Sequence, residues 1–288
     1  MSRPLVSVLT PSLNQARWLS DNLHSVAVQT YPDIEHIVMD GGSTDGSIEL
    51  LQAAGDNVVW RSEPDAGQAD ALNQAFALST GEIIGWINSD DAYFDERVVE
   101  DVVAYFDRHP EVDVAYGHAL QTAADGHAIQ VLWAPSFDAD LLKALDFIPQ
   151  PAAFIRRSAL AEPMLDVDFH FGMDYELWLR LHNEGRRFGR VSRILAIDRH
   201  QPERKSLTTK DVYRANLALL EARYEMHLSS EWERQRTTFY VRQRLAGALL
   251  IPRVAPDRVA FTAPHGMKSG LLQRQLLSRK STWPEEYR

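Results

Sequence analysis

The residue types best suited to chemistry lie in a short acidic turn, residues 88–91 (Asn-Ser-Asp-Asp), which directly follows the apolar run 83–87. Adjacent carboxylates at a strand end repel each other unless a cation or a hydrogen-bond donor is near. Their hard oxygens suit Mg²⁺ or Mn²⁺, ions that keep some waters and share the phosphates of a substrate. One interpretation is therefore a divalent ion that bridges this acidic turn to a diphosphate. The other is a solvated turn that caps a helix beginning near Glu96.

A second polar turn, residues 40–46 (Asp-Gly-Gly-Ser-Thr-Asp-Gly), follows the apolar run 34–39. Its glycines let a ligand approach the backbone closely, and Asp40 could accept a hydrogen bond from a ring N–H of a nucleobase. The alternative is a strand-to-helix turn in which Ser43 or Asp45 caps the helix. The turn has neither the Gly-x-Gly-x-x-Gly fingerprint nor the lysine of a Walker loop, which disfavours a dinucleotide-binding fold and a P-loop NTPase.

A third polar stretch covers residues 62–73. Asp70 and Asn73 share one face of a predicted helix, with little apolar content between them. Asp65, near the start of that helix, is either a ligand-facing carboxylate or a helix N-cap.

The elements that must position these turns alternate between strands and helices in the first half of the chain. Short β-branched apolar runs predict strands, and apolar residues at helical spacing predict helices. The predicted strands are residues 5–10, 34–39, 58–61, 83–87 and 112–116, and the predicted helices are residues 18–29, 68–79 and 96–106. Repeated βα units indicate an α/β fold with a mainly parallel, Rossmann-like central sheet and helices on both faces. Ligands of such sheets bind at the carboxyl ends of the strands, so we expect Thr10, Asp40 and the acidic turn to lie together.

The second half of the chain is mixed. We predict a hairpin at 119–132, a short helix at 138–145, a helix at 174–183 and a strand at 190–198. Two long helices are predicted at 211–227 and 231–249. The expected organisation is a main domain at 1–205, a helical appendage at 206–250 and a C-terminal tail at 251–288.

The composition excludes several classes of protein. The 288 residues carry a net charge of −10, which argues against broad nucleic-acid binding, and the absence of cysteine rules out disulfides and thiolate metal sites. The N-terminus lacks the pattern of a signal peptide, and no apolar run approaches the length of a membrane span. We therefore expect a cytoplasmic protein, either free or peripheral at the inner face of the membrane.

Four motifs occur together in a characteristic order: residues 10–14 (Thr-Pro-Ser-Leu-Asn), 40–46, 63–67 (Glu-Pro-Asp-Ala-Gly) and 86–91 (Trp-Ile-Asn-Ser-Asp-Asp). As a set they closely resemble the inverting family-two glycosyltransferases, which have the GT-A fold, over about residues 4 to 200. The resemblance implies a UDP- or dTDP-sugar donor and a Mn²⁺ or Mg²⁺ ion. It assigns a donor nucleotide site to Thr10, Pro11, Asn14, Asp40, Ser43, Asp65, Gly67, Asn88 and Ser89. The acidic turn occupies the family's Asp-x-Asp position with Asn88 in place of the first acid, so Asp90 becomes the expected metal ligand and Asp91 a supporting residue.

The same resemblance points to a general base at Asp174, in residues 172–178 (Gly-Met-Asp-Tyr-Glu-Leu-Trp). A carboxylate within hydrogen-bond reach can deprotonate an acceptor hydroxyl as it attacks the sugar. Met173 replaces the acid that many relatives have beside the base, which puts any role of that acid in doubt. The alternative for Asp174 is an N-cap of the helix 174–183.

Further residues are expected around the donor phosphates and the acceptor. Asp70, Asn73, Arg204 and Lys205 are assigned to the donor sugar or diphosphate, with the loop of Arg204 and Lys205 closing over the donor. His200 is expected to reach the metal or the diphosphate, although a lone histidine is more often structural. Gln150 and Trp178 are placed on the acceptor side, where sugars stack on aromatic faces, although aromatics here are more often core.

The sequence thus predicts a GT-A-like enzyme that transfers a sugar to a hydroxyl of a carbohydrate or glycolipid acceptor, in polysaccharide or glycolipid assembly. Two alternatives remain: a nucleotidyltransferase, and a non-catalytic sugar-nucleotide-binding subunit. Arginines beside apolar residues in the C-terminal helices indicate a membrane contact, a homodimer contact or a solvated face.

Overall fold

A computed structural model describes residues 3–126, 128–201, 210–224, 226 and 230–254. The predicted loop of Arg204 and Lys205 and nearly all of the predicted tail lie outside the described residues. The helix–strand alternation of the first half is as predicted.

The N-terminal half of the sheet is parallel. Its strands β1 (Val6–Ser12), β2 (Ile34–Asp40), β3 (Val58–Ser62) and β4 (Ile83–Trp86) lie in the order β3-β2-β1-β4. The crossovers include the helices α1 (Ala16–Ala27), α2 (Ser47–Ala53) and α3 (Gln68–Leu78). Because parallel strands share a direction, β1, β2 and β4 end at the same edge, and this edge carries the three predicted turns.

The second half of the sheet is mixed, so the mainly parallel arrangement holds only for the first half. The strands are β5 (Ala92–Tyr93), β6 (Val114–Ala123), β7 (Ala128–Leu132), β8 (Ala153–Arg156) and β9 (Phe188–His200), and the order continues as β4-β8-β6-β9-β5. Strand β8 is antiparallel to both β4 and β6, while β9 is parallel to β6. Strand β7 returns from β6 as the predicted hairpin, and Gly126 takes the positive φ of 86° that this turn needs.

Helices cover both faces of the sheet, as predicted. On one face, α4 (Val98–Arg108) buries Val102 and Phe106 against Phe154. On the other, α3, α5 (Ala139–Ala144) and α6 (Met173–Asn183) form a second apolar layer that includes Leu72 and Trp178. Each large side chain buried in this way contributes about 1.5–3 kcal/mol, so the two layers hold the sheet edge in a defined geometry.

Two helices follow the sheet, α7 (Lys210–Arg223) and α8 (Ser230–Val254), as the sequence predicts. A buried carboxylate, Glu176 on α6, anchors the first of them. Tyr224 donates a 2.6 Å hydrogen bond to Glu176, and Arg223 lies 3.5 Å from it and 2.6 Å from Asp166. A buried charge needs such partners, so α7 is fastened to the helix that begins beside Asp174. None of the helices among the described residues has the length and apolar content needed to cross a membrane.

Candidate active site

A cavity of about 870 Å³ opens at the sheet edge where β1 and β4 end. Its walls come from both halves of the sheet and from the C-terminal helices, and they include Pro11, Ser12, Asp65, Gly67, Gln68, Asn88, Ser89, Asp90, Asp91, Asp146, Gln150, Asp174, Arg199, Gln201, Glu221, Arg236 and Tyr240. The volume lies in the range of sites for small ligands and cofactors.

The side chain of Asn88 is held by an amide network. Its Oδ1 accepts hydrogen bonds from Gln68 Nε2 (2.8 Å) and Trp86 Nε1 (2.9 Å), and its Nδ2 donates to Gln150 Oε1 (3.0 Å). Gln150 is itself fixed, because its Nε2 donates to the carbonyl oxygen of Trp86 at 2.6 Å. Asn88 is therefore a junction between α3, β4 and the segment before β8, and both ends of its amide are occupied.

Asn22 on α1 holds the backbone of the acidic turn in place. Its Nδ2 donates to the carbonyl oxygens of Asn88 (2.9 Å) and Asp91 (3.2 Å). Thr10 Oγ1 lies 3.5 Å from Asn22 Oδ1 and 3.0 Å from His36 Nε2, and burial lowers the pKa of His36 to about 3. Thr10 is fully buried in this network and does not line the cavity, so here it supports the turn. Its predicted place in the donor site stays a prediction.

The two carboxylates of the turn have different surroundings. Asp91 is 5% exposed, and its Oδ1 accepts a 2.9 Å bond from the backbone N–H of Arg199. Asp90 is half-buried, and its Oδ2 accepts a 3.3 Å bond from Gln201 Nε2. Asp91 therefore ties the turn to β9, and its supporting role towards a metal stays a prediction. Asp90 lines the cavity.

The donor set at this edge fits Mg²⁺ or Mn²⁺. Among the described residues, no three His, Asp or Glu side chains come together as a complete metal cage. These ions commonly use one or two carboxylates and take their other ligands from water and substrate phosphates. Asp90 at the wall of a polar cavity matches that pattern.

His200 is not part of this edge. Its side chain is exposed at the end of β9 and does not line the cavity, whereas its neighbours Arg199 and Gln201 do. Successive side chains of a strand point to opposite faces, which explains why His200 lies away from the cavity. Its metal role stays a prediction. Gln201 occupies the position beside Asp90.

The polar groups of the 40–46 turn are largely hydrogen-bonded within the turn and to its neighbours. Asp40 is 2% exposed and accepts bonds from the backbone N–H groups of Gly42 and Ser43 and from the hydroxyls of Ser43 and Ser62. Asn14 has a φ of 52° and accepts a 2.9 Å bond from Thr44 N, while its own N–H donates to Ser43. Asp40, Ser43 and Asn14 are not among the residues that line the cavity, and their predicted contacts with the nucleotide stay predictions. In this structure they hold the 40–46 turn together beside the end of β1.

Only some of the residues predicted in the third polar stretch, residues 62–73, line the cavity. Asp65 and Gly67 line it, and a Cβ on Gly41 would lie 2.9 Å from Asp65 Oδ2, so the glycine makes room for that carboxylate. Asp70 instead accepts bonds from Ala66 N and Gln74 Nε2. Both ends of the Asn73 amide bond to the backbone of Leu165, at 2.9 and 2.8 Å. Asp70 and Asn73 therefore have structural partners in this structure, and their assignment to the donor sugar stays a prediction.

Asp174 lies in the first turn of α6 and lines the cavity. The N-cap of that helix is Gly172, which has a φ of 68° and receives no capping hydrogen bond from a side chain. Asp174 is therefore not the cap. Its Oδ1 accepts a 3.0 Å bond from Tyr175 N. A carboxylate from the second half of the chain thus shares one cavity with the acidic turn.

The two predicted acceptor residues differ in position. Gln150 lines the cavity, where it clamps Asn88. Trp178, on the buried face of α6, is 1% exposed and does not line the cavity. It is a core aromatic in this structure, and its acceptor role stays a prediction.

Sequence reasoning missed Arg199 as a site residue. This arginine lines the cavity, pairs with Asp21 at 2.9 Å and stacks 4.3 Å above the Trp18 ring. Burial raises the pKa of Asp21, and the charge of Arg199 opposes that rise. An arginine at the end of a strand beside two acids was the available signal. Glu221, Arg236 and Tyr240 of the C-terminal helices also line the cavity, and helix periodicity could not reveal this.

Comparisons with known proteins identify the family and agree with the fold. Residues 7–164 match the family described as Glycosyl transferase family 2, and the chain belongs to that family. It is 31% identical over 182 residues to an uncharacterised glycosyltransferase of Mycobacterium tuberculosis, covering 62% of this chain and 69% of that protein. It is 30% identical over 161 residues to a PGL/p-HBAD biosynthesis glycosyltransferase of the same organism, covering 54% of this chain and 61% of the relative. The match thus spans less than two thirds of that relative's length.

Solved structures show the same GT-A fold. TarS of S. aureus in complex with UDP-GlcNAc aligns with a TM-score of 0.62 at 15% identity, covering 96% of this chain and 79% of TarS. The mannosyltransferase PcManGT from Pyrobaculum calidifontis, in complex with GDP-Man and Mn²⁺, aligns with a TM-score of 0.57 at 18% identity, covering 98% and 87%. At such identities, these likenesses concern the fold.

The amide network leads to a prediction about Asn88. Although Asn88→Asp would restore the Asp-x-Asp motif, we expect it to weaken the protein. It would set a carboxylate oxygen 3.0 Å from Gln150 Oε1 and 3.5 Å from Asp91 Oδ2. Two acceptor oxygens that face each other without a donor lower the free energy of unfolding by about 1–3 kcal/mol. That loss lowers Tm by roughly 3–9 °C.

The measurement is Tm from pH 8 to pH 5, with Asn88→Ala as the control that removes the contacts without adding charge. The deficit of N88D should shrink as the pH falls, because a protonated carboxyl can donate to Gln150 again. N88A should show a constant deficit. An N88D protein that is as stable as the wild type at pH 8 would remove this role of the amide.

Proposed function

We propose that this protein is an inverting glycosyltransferase that moves a sugar from a UDP- or dTDP-sugar to a hydroxyl acceptor, in polysaccharide or glycolipid assembly. The observation that carries the proposal is one cavity lined by both Asp90 and Asp174. The first belongs to the turn after β4, and the second to α6. Membership of glycosyl transferase family 2 supports the reaction class.

The donor is proposed to lie along the edge formed by Pro11, Ser12, Asp65, Gly67 and Gln68. Its diphosphate would then reach Asp90 and Arg199. A bound Mn²⁺ or Mg²⁺ would supply charge neutralisation at the departing diphosphate. The complexes of PcManGT with GDP-Man and Mn²⁺, and of glucosyl-3-phosphoglycerate synthase from Mycobacterium tuberculosis with Mn²⁺ and UDP, support this choice.

Asp174 is proposed to act as the general base. Its carboxylate takes the proton of the acceptor hydroxyl while the hydroxyl oxygen bonds to the anomeric carbon. The bond from that carbon to the phosphate oxygen breaks, and its electron pair leaves with the diphosphate. Attack from the side opposite the leaving group inverts the anomeric centre.

The acceptor is proposed to enter beside the C-terminal helices, where Glu221, Arg236 and Tyr240 line the cavity. Contact of α8 with a membrane surface or with a second copy belongs to the same proposal, as does a cytoplasmic location. Closure of the loop of Arg204 and Lys205 over the donor stays a prediction, since these residues lie outside the described ones.

The two alternatives have less support. A nucleotidyltransferase would need a Gly- and Arg/Lys-rich phosphate loop after β1, and this chain has Thr-Pro-Ser-Leu-Asn at residues 10–14. A non-catalytic binding subunit has no need of a carboxylate such as Asp174 in the cavity.

The test is a panel of nucleotide sugars with Mn²⁺, with Mg²⁺ and with EDTA, read by thermal shift and by donor hydrolysis. A ligand present at 100 times its Kd stabilises the folded state by about 2.7 kcal/mol, which is easily measured as a rise in Tm. We expect UDP- or dTDP-sugars to raise Tm in the presence of metal and to lose much of that effect in EDTA. GDP- and ADP-sugars serve as matched controls. Stabilisation by none of the uridine or thymidine donors would contradict the proposal.

A further inference from the structure

A second carboxyl group, Asp146, shares the cavity with Asp174. It lies after α5, in the segment that leads to Gln150 and the amide network. Its Oδ1 is shielded from solvent and has no hydrogen-bond partner among the described residues. A shielded carboxylate oxygen without a donor is costly, so this position needs a physical explanation.

The surroundings favour the neutral form of this carboxyl. Burial, and then the negative charge of Asp174, raise the pKa of Asp146 well above its usual range, and the backbone N–H of Ile148 only partly opposes them. Both residues are half-buried and line one cavity. A second carboxylate near the first disfavours ionisation of both.

Other charged groups around the pair come from every wall of the cavity. They are Lys143 on α5, His170 before α6, Glu221 on α7 and Arg236 on α8. The charge that acts on Asp146 is that of Asp174.

A purely structural role does not explain Asp146. The C-cap of α5 is Leu145, whose backbone N–H bonds to Leu141 O at 2.9 Å without help from Asp146. A negative charge just after a helix C-terminus is also unfavourable to the helix dipole. The helix therefore does not account for this carboxyl, and the charged group that acts on it is Asp174.

We propose that Asp146 is a positioning residue for Asp174: the two carboxyls share one proton, so that the pair carries a single negative charge. This rests on the proposed function, in which Asp174 is the base. When the acceptor O–H bond breaks, its proton binds the charged oxygen of the pair and is later released to solvent. Holding the pair at one negative charge limits its repulsion of the anionic donor.

The first test is the stability of Asp146→Asn, which needs no donor. An aspartate whose folded pKa lies above its unfolded value of about 3.9 makes the folded protein lose stability as the pH rises above about 4. The variant has no ionisable group at this position and does not lose stability in this way. As the pH rises from 4 to 8, the Tm of D146N should therefore rise relative to that of the wild type by about 3 °C or more. Asp140→Asn, an exposed position on the same helix, is the control and should show a constant difference.

The second test is kinetic. D146N keeps a neutral hydrogen-bonding group and should retain kcat within about tenfold at pH 7, whereas Asp146→Leu should lower kcat more with donor KM unchanged. The wild-type donor KM should rise towards high pH, as the pair takes a second charge, and that of D146N should stay flat.

Two outcomes would overturn the proposal. A Tm difference that is flat from pH 4 to pH 8 would show that Asp146 ionises as an ordinary carboxylate. Loss of transfer in D146N as complete as in Asp174→Asn would make Asp146 an ionised base. If no donor is used at all but the Tm difference grows as expected, the proposed function fails while the shared proton stands.

Discussion

Asp174→Asn is expected to lower kcat for sugar transfer by about 10³-fold, within the 10²- to 10⁴-fold range typical of general-base catalysis. The amide has nearly the shape of the carboxylate and can still accept the 3.0 Å bond from Tyr175 N. It cannot take a proton from the acceptor at neutral pH. Donor affinity should stay within about threefold, because the donor is proposed to bind at the other end of the cavity.

The measurements for Asp174 are single-turnover transfer and donor binding by thermal shift, with metal present in both. Asp168→Asn is the matched control, since it removes an exposed carboxylate from the approach to α6 and should leave both values unchanged. Transfer at a normal rate in D174N would exclude Asp174 as the base. Loss of donor binding together with loss of transfer would instead place Asp174 in the donor site.

Much of the fold could be predicted, because the local signals agree with the tertiary structure. The strand predicted at 34–39 is β2, Ile34–Asp40, and the helix predicted at 68–79 is α3, Gln68–Leu78. The rule that ligands bind at the carboxyl ends of parallel strands located the cavity edge. It could not locate β8, because that antiparallel strand is inserted between β4 and β6 from a distant part of the chain.

The direction in which individual side chains point was harder to predict than the sheet edge at which the cavity lies. Strand β1 runs to Ser12, two residues beyond its predicted end, so Thr10 is still inside the sheet and only Pro11 and Ser12 reach the cavity. At β9, the strand extends through His200, and alternation turns this histidine away from the cavity. One- or two-residue errors in a strand end reverse which side chains are functional.

The amide network shows a different limit of sequence reasoning. Asn88 bonds to Gln68 and Gln150, which are 20 and 62 residues away along the chain. No periodicity joins such positions, and only the packing of α3 and of the segment before β8 against the acidic turn brings them together. The departure from an acid at residue 88 therefore looked like an altered metal site, whereas the structure shows an occupied amide.

Asp90→Asn is expected to remove most of the metal-dependent part of donor binding. With Asn88 occupied by its amide partners and Asp91 bonded to the backbone N–H of Arg199, Asp90 is the carboxylate of the turn that remains for a divalent ion. Neutralising it should weaken donor binding in Mn²⁺ by about 100-fold, the upper end of the range for mutations at metal sites. Binding in EDTA should change little, because Arg199 still offers its positive charge to the diphosphate.

The matched control for this last prediction is Asp91→Asn. Asp91 is 5% exposed and holds β9, so its replacement should lower the Tm of the free protein. Asp90 is half-buried, and the amide oxygen of an asparagine can still accept the 3.3 Å bond from Gln201 Nε2, so D90N should leave the free protein's Tm nearly unchanged. The two variants thus separate binding of the metal from support of the turn. If D90N showed the same Mn²⁺ dependence of donor binding as the wild type, the ion would have to bind elsewhere, and the acidic turn would be a structural connection between β4 and β9.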